Sequence, residues 1–564
     1  MNPKEAYAAK PWLKHYPESV SDKVDTTPIS VPDLLDRMFR KFAKKTALIF
    51  YGKKISYAEL KELIDRFATA LADLGVKKGD TVALYLLNCP QYVIAYYASL
   101  EIGAKVTPVS PVYTSHEIKH QLEDSDAMTI VCQDILYDNV EKTGIALKNV
   151  ILTSIADYLP TLKKMLGKGA LGKIYSEMKV PTPQHREQAG LLQFQDLIKK
   201  YPPKPPKVTI DPVKDIAALP YTGGTTGLPK AAMLTHANMT GLHAQVKEFW
   251  PFFEEGNELV MAFLPFFHIY GQVVVMLGSL SQGFTMVLFT TPDIDDILSA
   301  MERYQASAFY GVPTMFEYLK EYEKTDRVNW KRLKLIACGA DTLHESTIDA
   351  WERRTGTKIF EGYGMTETTA ISHGSPIHRP KKGSFGVPLP GMKAAIIQHD
   401  GTDFMPVGEV GELILNGPNR MAWVKITDAS GSCEVTLFAE VLSRARDVLA
   451  SGSNVLITAE LRHDGDALRI TAQDVTALDQ AAAEAGAAMR IWLRETAAVP
   501  HIRELLGREG RGKGRVILVP RLDSTQSVEI ALPGGFNVTP RLAQAMKIIR
   551  WRMPLHAGYV PRES

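Results

Sequence analysis

The chain has 564 residues, of which 45% are hydrophobic, and a formal net charge of +2. The length and composition predict a multidomain globular protein, and the small net charge argues against a partner that is bound through overall charge attraction. Its four cysteines are scattered without a Cys-x-x-Cys pair, which argues against a zinc site and a disulfide framework. The N-terminus lacks signal-peptide character and no apolar run approaches about 18 residues, so we expect a cytoplasmic protein.

The first third of the chain alternates helical and strand patterns. Ser56 and Glu59 form a capping box ahead of apolar residues at helical spacing, and Gly75 closes that helix. The next elements are predicted, in chain order, as a strand at 81–87, a helix at 90–103, a strand at 105–109, a helix at 116–122 and a strand at 128–132. Such alternation predicts a parallel sheet that is covered on both faces.

Residues 159–179 mix lysines with leucine, methionine and isoleucine. One interpretation is a basic amphipathic helix in peripheral contact with an anionic membrane surface. The other is an ordinary solvated surface helix with glycine breaks. The proline-rich residues 201–207 then predict a stiff connector into a second unit.

A glycine- and threonine-rich segment, residues 221–236, has the composition of a phosphate-binding loop. Its glycines allow close backbone approach to a ligand, its threonines supply hydroxyl groups and its lysine adds a positive charge. A Walker A loop is excluded, because Leu228 and Pro229 separate Gly227 from Lys230.

The second unit again alternates strands with helices. Strands are predicted at 216–219, 260–263, 286–289, 308–311 and 335–338, with a helix at 294–304. Two further motifs lie in this unit. His268 follows the aromatic run Leu264-Pro-Phe-Phe, and residues 361–368 read Glu-Gly-Tyr-Gly-Met-Thr-Glu-Thr.

These motifs, in this order, resemble those of the AMP-forming acyl-CoA synthetases, including long-chain fatty acid CoA ligases, of the adenylate-forming superfamily. The resemblance covers about residues 30–419. It implies an α/β fold, with two alternating α/β subdomains and a truncated β-rich subdomain. It also implies that ATP, Mg²⁺ and coenzyme A are used to convert a hydrophobic carboxylate into an acyl-adenylate and then into acyl-CoA.

The resemblance also assigns roles to individual residues. Catalytic roles fall to His268, Thr366 and Lys230, and Glu367 is the expected Mg²⁺ ligand. The residues expected to bind the nucleotide are Thr222, Gly223, Gly224, Thr225, Thr226, Gly227, Lys230, Gly339, Ala340, Asp341, Glu361, Gly362, Tyr363 and Thr366.

The composition changes abruptly after Asn419. Before that point there are 36 lysines and 10 arginines, whereas from Arg420 onward there are 3 lysines and 16 arginines. We therefore expect a large domain over 1–419, a second over 420–478 and a third over 479–564.

Four features that the family would place after residue 419 are missing from this sequence: a Gly-Tyr segment, a ribose-binding Thr-Gly-Asp, a Gly-Arg-x-Lys-Asp hinge and a closing Ser-Gly-Lys lysine. Residues 443–447 lack the glycine and lysine of the hinge. Lys513, between Gly512 and Gly514, is interpreted as part of a solvated loop. We therefore expect slow or absent turnover to acyl-CoA.

Instead, residues 422–438 and 454–472 each predict a β-hairpin, and a helix is predicted at 441–450. These elements indicate a small oligonucleotide-binding (OB) barrel. The segment resembles the C-terminal part of the bacterial DNA polymerase III α subunit, and residues 489–532 predict a further small α/β unit. Two alternatives stay open for 420–564: binding of single-stranded nucleic acid or a replication partner, or an artificial joining of two sequences.

Overall fold

The computed structural model divides the chain into two compact units, Met1–Arg420 and Met421–Ser564. It describes the whole chain except residues 1, 161–178, 185–189, 223–228, 400–402, 418–421, 428–431, 438–440, 442–444, 446–447, 449–454, 465–466, 479–480, 482–487, 494–498, 521–527, 539–541, 543–554 and 561–564. Gly223, Gly224, Thr225, Thr226 and Gly227, and nearly all of the basic stretch, therefore lie outside the described residues.

The described helices are α1 (Pro3–Ala8), α2 (Val31–Lys41), α3 (Tyr57–Asp73), α4 (Pro90–Glu101), α5 (Ser115–Asp124), α6 (Tyr137–Glu141), α7 (Phe194–Lys200), α8 (His236–Phe249), a π-helix (Tyr270–Leu277) that runs into the short α9 (Gly278–Leu280), α10 (Ile294–Tyr304), α11 (Pro313–Leu319), α12 (Glu345–Thr355) and α13 (Val499–Glu509). Short 3₁₀ helices are Pro11–His15, Asp134–Leu136, Ile155–Tyr158, Glu323–Arg327, Trp330–Arg332 and Thr366–Thr368. None of these helices is long and apolar enough to cross a membrane.

The described strands of the first unit are β1 (Thr46–Phe50), β2 (Lys53–Ser56), β3 (Thr81–Tyr85), β4 (Lys105–Pro108), β5 (Ala127–Gln133), β6 (Asn149–Thr153), β7 (Leu191–Gln193), β8 (Ile216–Ala218), β9 (Tyr221–Thr222), β10 (Lys230–Ala231), β11 (Leu234–Thr235), β12 (Leu259–Ala262), β13 (Thr285–Leu288), β14 (Ala308–Gly311), β15 (Leu335–Cys338), β16 (Phe360–Tyr363), β17 (His373–Gly374), β18 (Val387–Pro388), β19 (Lys393–Ile397) and β20 (Glu412–Asn416). Those of the second unit are β21 (Ala422–Thr427), β22 (Ser432–Leu437), β23 (Val455–Asp464), β24 (Ala467–Ala477), β25 (Ala488–Leu493), β26 (Arg511–Pro520), β27 (Ile530–Ala531) and β28 (Leu555–Val560).

Two large sheets, mostly parallel, form the centre of the first unit. One has seven strands in the order β11-β8-β4-β3-β5-β6-β7. The other has nine, in the order β18-β17-β16-β15-β14-β12-β13-β1-β2. One continuous apolar core joins them, as the rings of Phe67 and Phe194, 4.3 Å apart, illustrate. The predicted α/β architecture is confirmed.

Local sequence signals account for the ends of several helices. The capping box at the start of α3 is present in both directions, because Glu59 N–H donates to Ser56 Oγ and Ser56 N–H donates to Glu59. Gly75 follows α3 with φ +85°, the left-handed conformation that glycine adopts without strain. Helix α10 matches the predicted 294–304, with Asp293 capping its start.

Two small antiparallel pairs stand apart from the large sheets. The strands β9 and β10 form a ribbon on either side of residues 223–228, with Thr222 opposite Lys230. The strands β19 and β20 form the other pair. This second pair occupies the part of the sequence in which a truncated β-rich subdomain was expected.

The second unit contains two four-stranded sheets. The first has the order β21-β22-β24-β23, and both predicted hairpins are present as antiparallel pairs. The second has the order β27-β26-β25-β28, with a separate core that includes Met489 and Val516. A closed barrel would need β21 to pair with β23, a pairing that the described residues do not include. The barrel therefore stays a prediction, as does the helix at 441–450, most of which lies outside the described residues.

Candidate active site

A cavity of about 330 Å³ lies where adjacent parallel strands of the nine-stranded sheet end. Tyr310 comes from β14, Cys338 ends β15, Tyr363 ends β16, and His268 follows β12; all four residues line the cavity. The carboxyl ends of parallel strands are where open α/β sheets bind ligands. The topology therefore brings together segments that are about a hundred residues apart in sequence.

Eight of the residues expected to form the site line this cavity. They are Thr222, His268, Gly339, Ala340, Gly362, Tyr363, Thr366 and Glu367. The three sequence motifs therefore meet at one place.

Three other expected residues do not line the cavity. Lys230 is exposed on β10. Asp341 is exposed, and its Oδ1 accepts the backbone N–H of Thr342 at 2.7 Å. Glu361 is half-buried. Burial raises the pKa of its carboxyl group, and a backbone hydrogen bond from Leu343 offsets only part of this effect.

The hydrogen bond at His268 fixes which ring nitrogen accepts. Its Nδ1 accepts the backbone N–H of Tyr270 at 3.3 Å, so the neutral ring carries its proton on Nε2. The ring keeps solvent access, yet the surrounding protein atoms lower the pKa of His268 by desolvation. His268 is thus a neutral hydrogen-bond donor at pH 7.

The turn after β16 is tightly packed. A Cβ atom on Gly364 would lie 1.7 Å from the carbonyl oxygen of Ala370, so only glycine fits there. Thr369 and Ala370 adopt positive φ angles of 61° and 95°, which are unfavourable for residues with a side chain. Backbone strain of this kind concentrates at ligand-binding sites. The turn places Thr366 and Glu367 at the cavity.

The ring of Tyr363 belongs to an aromatic cluster. It lies 4.7 Å from the ring of Phe385 and 5.9 Å from that of His373, between centroids. His373 is buried, and desolvation lowers its pKa to about 4, so it stays neutral at pH 7. The cluster holds the Tyr363 ring at the cavity as a rigid stacking surface.

The carboxylate of Glu367 is exposed at the cavity and has no salt bridge to another described residue. No group of three potential metal ligands occurs among the described side chains. The exposed carboxylate of Glu367 fits Mg²⁺, which binds through one or two carboxylates together with substrate phosphates. Glu367 is the residue that would hold it.

Several cavity residues were not predicted from the sequence. They form an apolar and aromatic wall and are Trp250, Ile269, Tyr270, Val274, Tyr310, Phe360 and Ile371. Three of them lie outside the sequence motifs: Trp250 directly follows α8, Tyr310 comes from β14 and Val274 from the π-helix. A periodic apolar pattern does not distinguish a core residue from a ligand-facing one, so no sequence signal marks them.

Residues 35–422 match the family described as AMP-binding enzyme, which is more than half of the chain. The chain belongs to this family.

Several ligases are similar to this AMP-binding enzyme. A long-chain-fatty-acid–CoA ligase of Bacillus subtilis is 32% identical over 463 residues, which cover 78% of this chain and 81% of that protein. One of Escherichia coli O157:H7 is 30% identical and covers 86% of this chain and 89% of that protein. The crystal structure of a long-chain-fatty-acid-CoA ligase from Archaeoglobus fulgidus has the same fold, with a TM-score of 0.59 and 21% identity, covering 79% of this chain and 91% of that chain.

Proposed function

We propose that this AMP-binding enzyme activates a hydrophobic carboxylate, with a long-chain fatty acid as the favoured substrate, and transfers the acyl group to coenzyme A. The observation that carries the proposal is the cavity in which Thr222, His268, Thr366 and Glu367 meet an apolar wall. The similarity to two bacterial long-chain-fatty-acid–CoA ligases supports the acyl class.

In the first step a carboxylate oxygen attacks the α-phosphorus of ATP, the bond to the bridging oxygen breaks, and pyrophosphate leaves. His268, whose Nδ1 accepts the Tyr270 N–H, would donate its Nε2–H to the carboxylate or the acyl-phosphate oxygen. Thr366 supplies a hydroxyl for the α-phosphate, and Tyr363 supplies a face for adenine. Glu367 would hold Mg²⁺, which when bound with ATP would supply neutralisation of the phosphate charge. Positioning and charge neutralisation account for most of the rate in such a step.

In the second step the sulfur of coenzyme A attacks the acyl carbon, AMP leaves, and the thiol proton is released. The sequence lacks the family's closing lysine, ribose aspartate and hinge, so we expect this chain to be impaired. A missing cationic donor typically costs about 10² to 10³ in rate. Against the impairment stands the alignment with the E. coli relative. That alignment covers 86% of the chain. The first unit contains only 420 of the 564 residues, so the alignment must extend into the second unit.

Pyrophosphate release from ATP, measured with carboxylates from butyrate to palmitate and with benzoate, tests the proposal. We expect release with the long-chain acids, and a fall of about 10²-fold or more in Glu367→Ala and Lys230→Ala. Glu302→Ala, an exposed carboxylate on α10, is the matched control and should keep wild-type rates. Release no greater than in the ATP-only blank for every acid would refute the activity.

A second candidate function is binding of single-stranded nucleic acid by residues 420–564. The shift to 16 arginines against 3 lysines favours it, because phosphate contacts by arginine supply most of such affinity. The same shift, together with the end of the family match at residue 422, also fits two joined sequences. Filter retention of single-stranded DNA by the full chain, falling between 50 and 200 mM salt in the way expected for phosphate contacts, would support binding, and no retention would discard it.

A further inference from the structure

The β9–β10 ribbon is too short to hold its own position. It contains two residue pairs, Thr222 with Lys230 and Tyr221 with Ala231, and it belongs to neither large sheet. An isolated two-stranded pair is at best marginally stable in water. Because Thr222 lines the cavity, contacts with the rest of the protein must fix where this ribbon stands.

Helix α5 contacts β9 and the residue that immediately precedes β10. On the β9 side, the Tyr221 hydroxyl donates a hydrogen bond to Asp124 Oδ2 at 2.5 Å. On the β10 side, His120 Nε2 lies 3.0 Å from the carbonyl oxygen of Pro229, the residue before Lys230. A carbonyl oxygen only accepts, so His120 is the donor. The His120 and Tyr221 rings also meet edge to face, 6.4 Å apart.

The Tyr221 hydroxyl keeps its proton. Burial, reinforced by the neighbouring Asp124, raises the pKa of Tyr221 well above its ordinary value. The hydroxyl is therefore a permanent donor to a carboxylate acceptor, which is among the stronger kinds of hydrogen bond.

Helix α5 is itself firmly attached to the seven-stranded sheet. Its start carries a capping box between Thr114 and Glu117. Near its middle, the buried Gln121 side chain donates to Thr107 Oγ1 at 2.7 Å and to the Pro108 carbonyl at 2.8 Å, both on β4. A buried amide with these partners holds the helix in one register against the sheet.

We infer that α5 is the support of the nucleotide-binding ribbon, and that His120 and Asp124 are positioning residues for ATP. This inference rests on the proposed function, because it concerns the affinity for the nucleotide of that reaction. Asp124 holds β9 and His120 holds the residue that leads into β10, both from the same helix. They set where Thr222 and Lys230 stand before ATP arrives, and so lower the cost of ordering the ribbon on binding.

The test uses the full chain with His120→Ala and Tyr221→Phe. We expect the Kd for Mg-ATP by calorimetry, and the KM for ATP, to rise about tenfold, because loss of one hydrogen bond that holds the binding segment weakens an equilibrium by about this factor. The KM for the carboxylate should stay within twofold. His120→Gln, whose amide can reach the Pro229 carbonyl, should recover most of the ATP affinity, and a role in folding alone would not give this pattern.

Lys119→Ala is the matched control on the same helix, because Lys119 is exposed and its one ion pair among the described residues is a 3.8 Å contact with Glu123. It should bind Mg-ATP as the wild type does. A Kd within twofold of wild type in both His120→Ala and Tyr221→Phe would overturn the inference. If the wild type binds Mg-ATP but releases no pyrophosphate, the proposed function fails. The inference about α5 is then still decided by the ratio of the Kd for Mg-ATP in each variant to that in the wild type.

Discussion

The backbone N–H of Tyr270 donates to Nδ1 of His268 at 3.3 Å and thereby selects the tautomer that His268 presents to the cavity. The ring is left with a proton on Nε2 and, because desolvation lowers its pKa, without a positive charge at pH 7. A neutral donor can approach a carboxylate that must stay nucleophilic, whereas an imidazolium would hold the carboxylate in an ion pair.

We therefore expect His268→Ala to reduce kcat/KM for pyrophosphate release by about 10²-fold, as the loss of one positioned donor does. His268→Gln, which keeps a donor amide, should lose less. In the wild type the neutral form is active, so the rate should not rise as pH falls from 8 to 6.5 and should decline as pH drops through the lowered pKa of His268. A rate that rises as pH falls from 8 to 6.5 would show that the charged form is the active one.

Packing at the turn after β16 gives a second prediction. Gly364→Ala would place a methyl group 1.7 Å from the carbonyl oxygen of Ala370, so the turn that carries Thr366 and Glu367 must move. We expect loss of Mg-ATP binding by calorimetry and a decrease of about 1 to 3 kcal/mol in the free energy of unfolding. The second quantity is measured by urea denaturation.

Gly278→Ala is the control for this substitution. Gly278 has helical backbone angles and its nearest neighbour to an added Cβ is 3.6 Å away, an ordinary contact. It should bind Mg-ATP normally and be slightly stabilised, since alanine loses less backbone entropy than glycine on folding. Equal effects of the two substitutions would contradict the steric argument.

A charged cluster between three helices gives a third prediction. The ammonium group of Lys61 lies 2.6 Å from Asp65, 3.1 Å from Asp36 on α2 and 3.4 Å from Glu101 on α4. Lys61→Met would leave three neighbouring carboxylates without their cation. We expect a loss of about 2 to 4 kcal/mol in the free energy of unfolding at pH 8, because an uncompensated, partly buried charge is costly.

The pH dependence of that loss can be assigned a sign. Burial raises the pKa of Asp65 and of Glu101. At a pH above these pKa values both groups are charged, and their burial then lowers the free energy of unfolding. Without Lys61 both values rise further, and the variant should regain stability as pH falls from 8 to 5. Lys199→Ala, whose 3.9 Å pair with Asp196 is highly exposed, should change little at either pH. A loss in Lys61→Met that is independent of pH would argue against charge as its cause.

Sequence patterns were sufficient for many individual elements of the first unit. Strands β14 and β15 match the predicted 308–311 and 335–338, because short apolar runs between turn signals are local features. Helix α3 was placed by its capping box and Gly75, which act within a few residues. The residues of the three motifs were also found, since each motif is continuous in sequence.

The neighbour relations of these elements were not predictable. That β12 lies between β13 and β14 depends on tertiary packing, and this order is what brings Tyr310 near His268. The role of α5 in holding Tyr221 and Pro229 was missed for the same reason. A helix about a hundred residues earlier in the chain carries no signal that it contacts the phosphate-binding segment.

The last prediction concerns acid stability and His236, the first residue of α8. Its Nδ1 accepts the backbone N–H of Val31 at 3.2 Å, and its Nε2 is buried without a hydrogen-bond partner among the described residues. Burial lowers the pKa of His236 to about 4, against the opposing effect of Asp215. The unfolded chain has an ordinary histidine pKa, so it binds a proton at a higher pH than the folded chain does.

The stabilising contribution of neutral His236 is therefore complete above pH 6.5 and is lost as pH falls from 6.5 toward 4. We expect protonation of His236 to lower the free energy of unfolding by about 1 to 3 kcal/mol over this pH range. The upper limit follows from about 1.4 kcal/mol for each unit by which the folded and unfolded pKa values differ. In His236→Asn the side-chain oxygen can accept the Val31 N–H but does not titrate. The variant should show a shallower decline between pH 6.5 and 4 in urea denaturation followed by tryptophan fluorescence. An unchanged slope would mean that His236 is not among the groups that make the fold sensitive to acid.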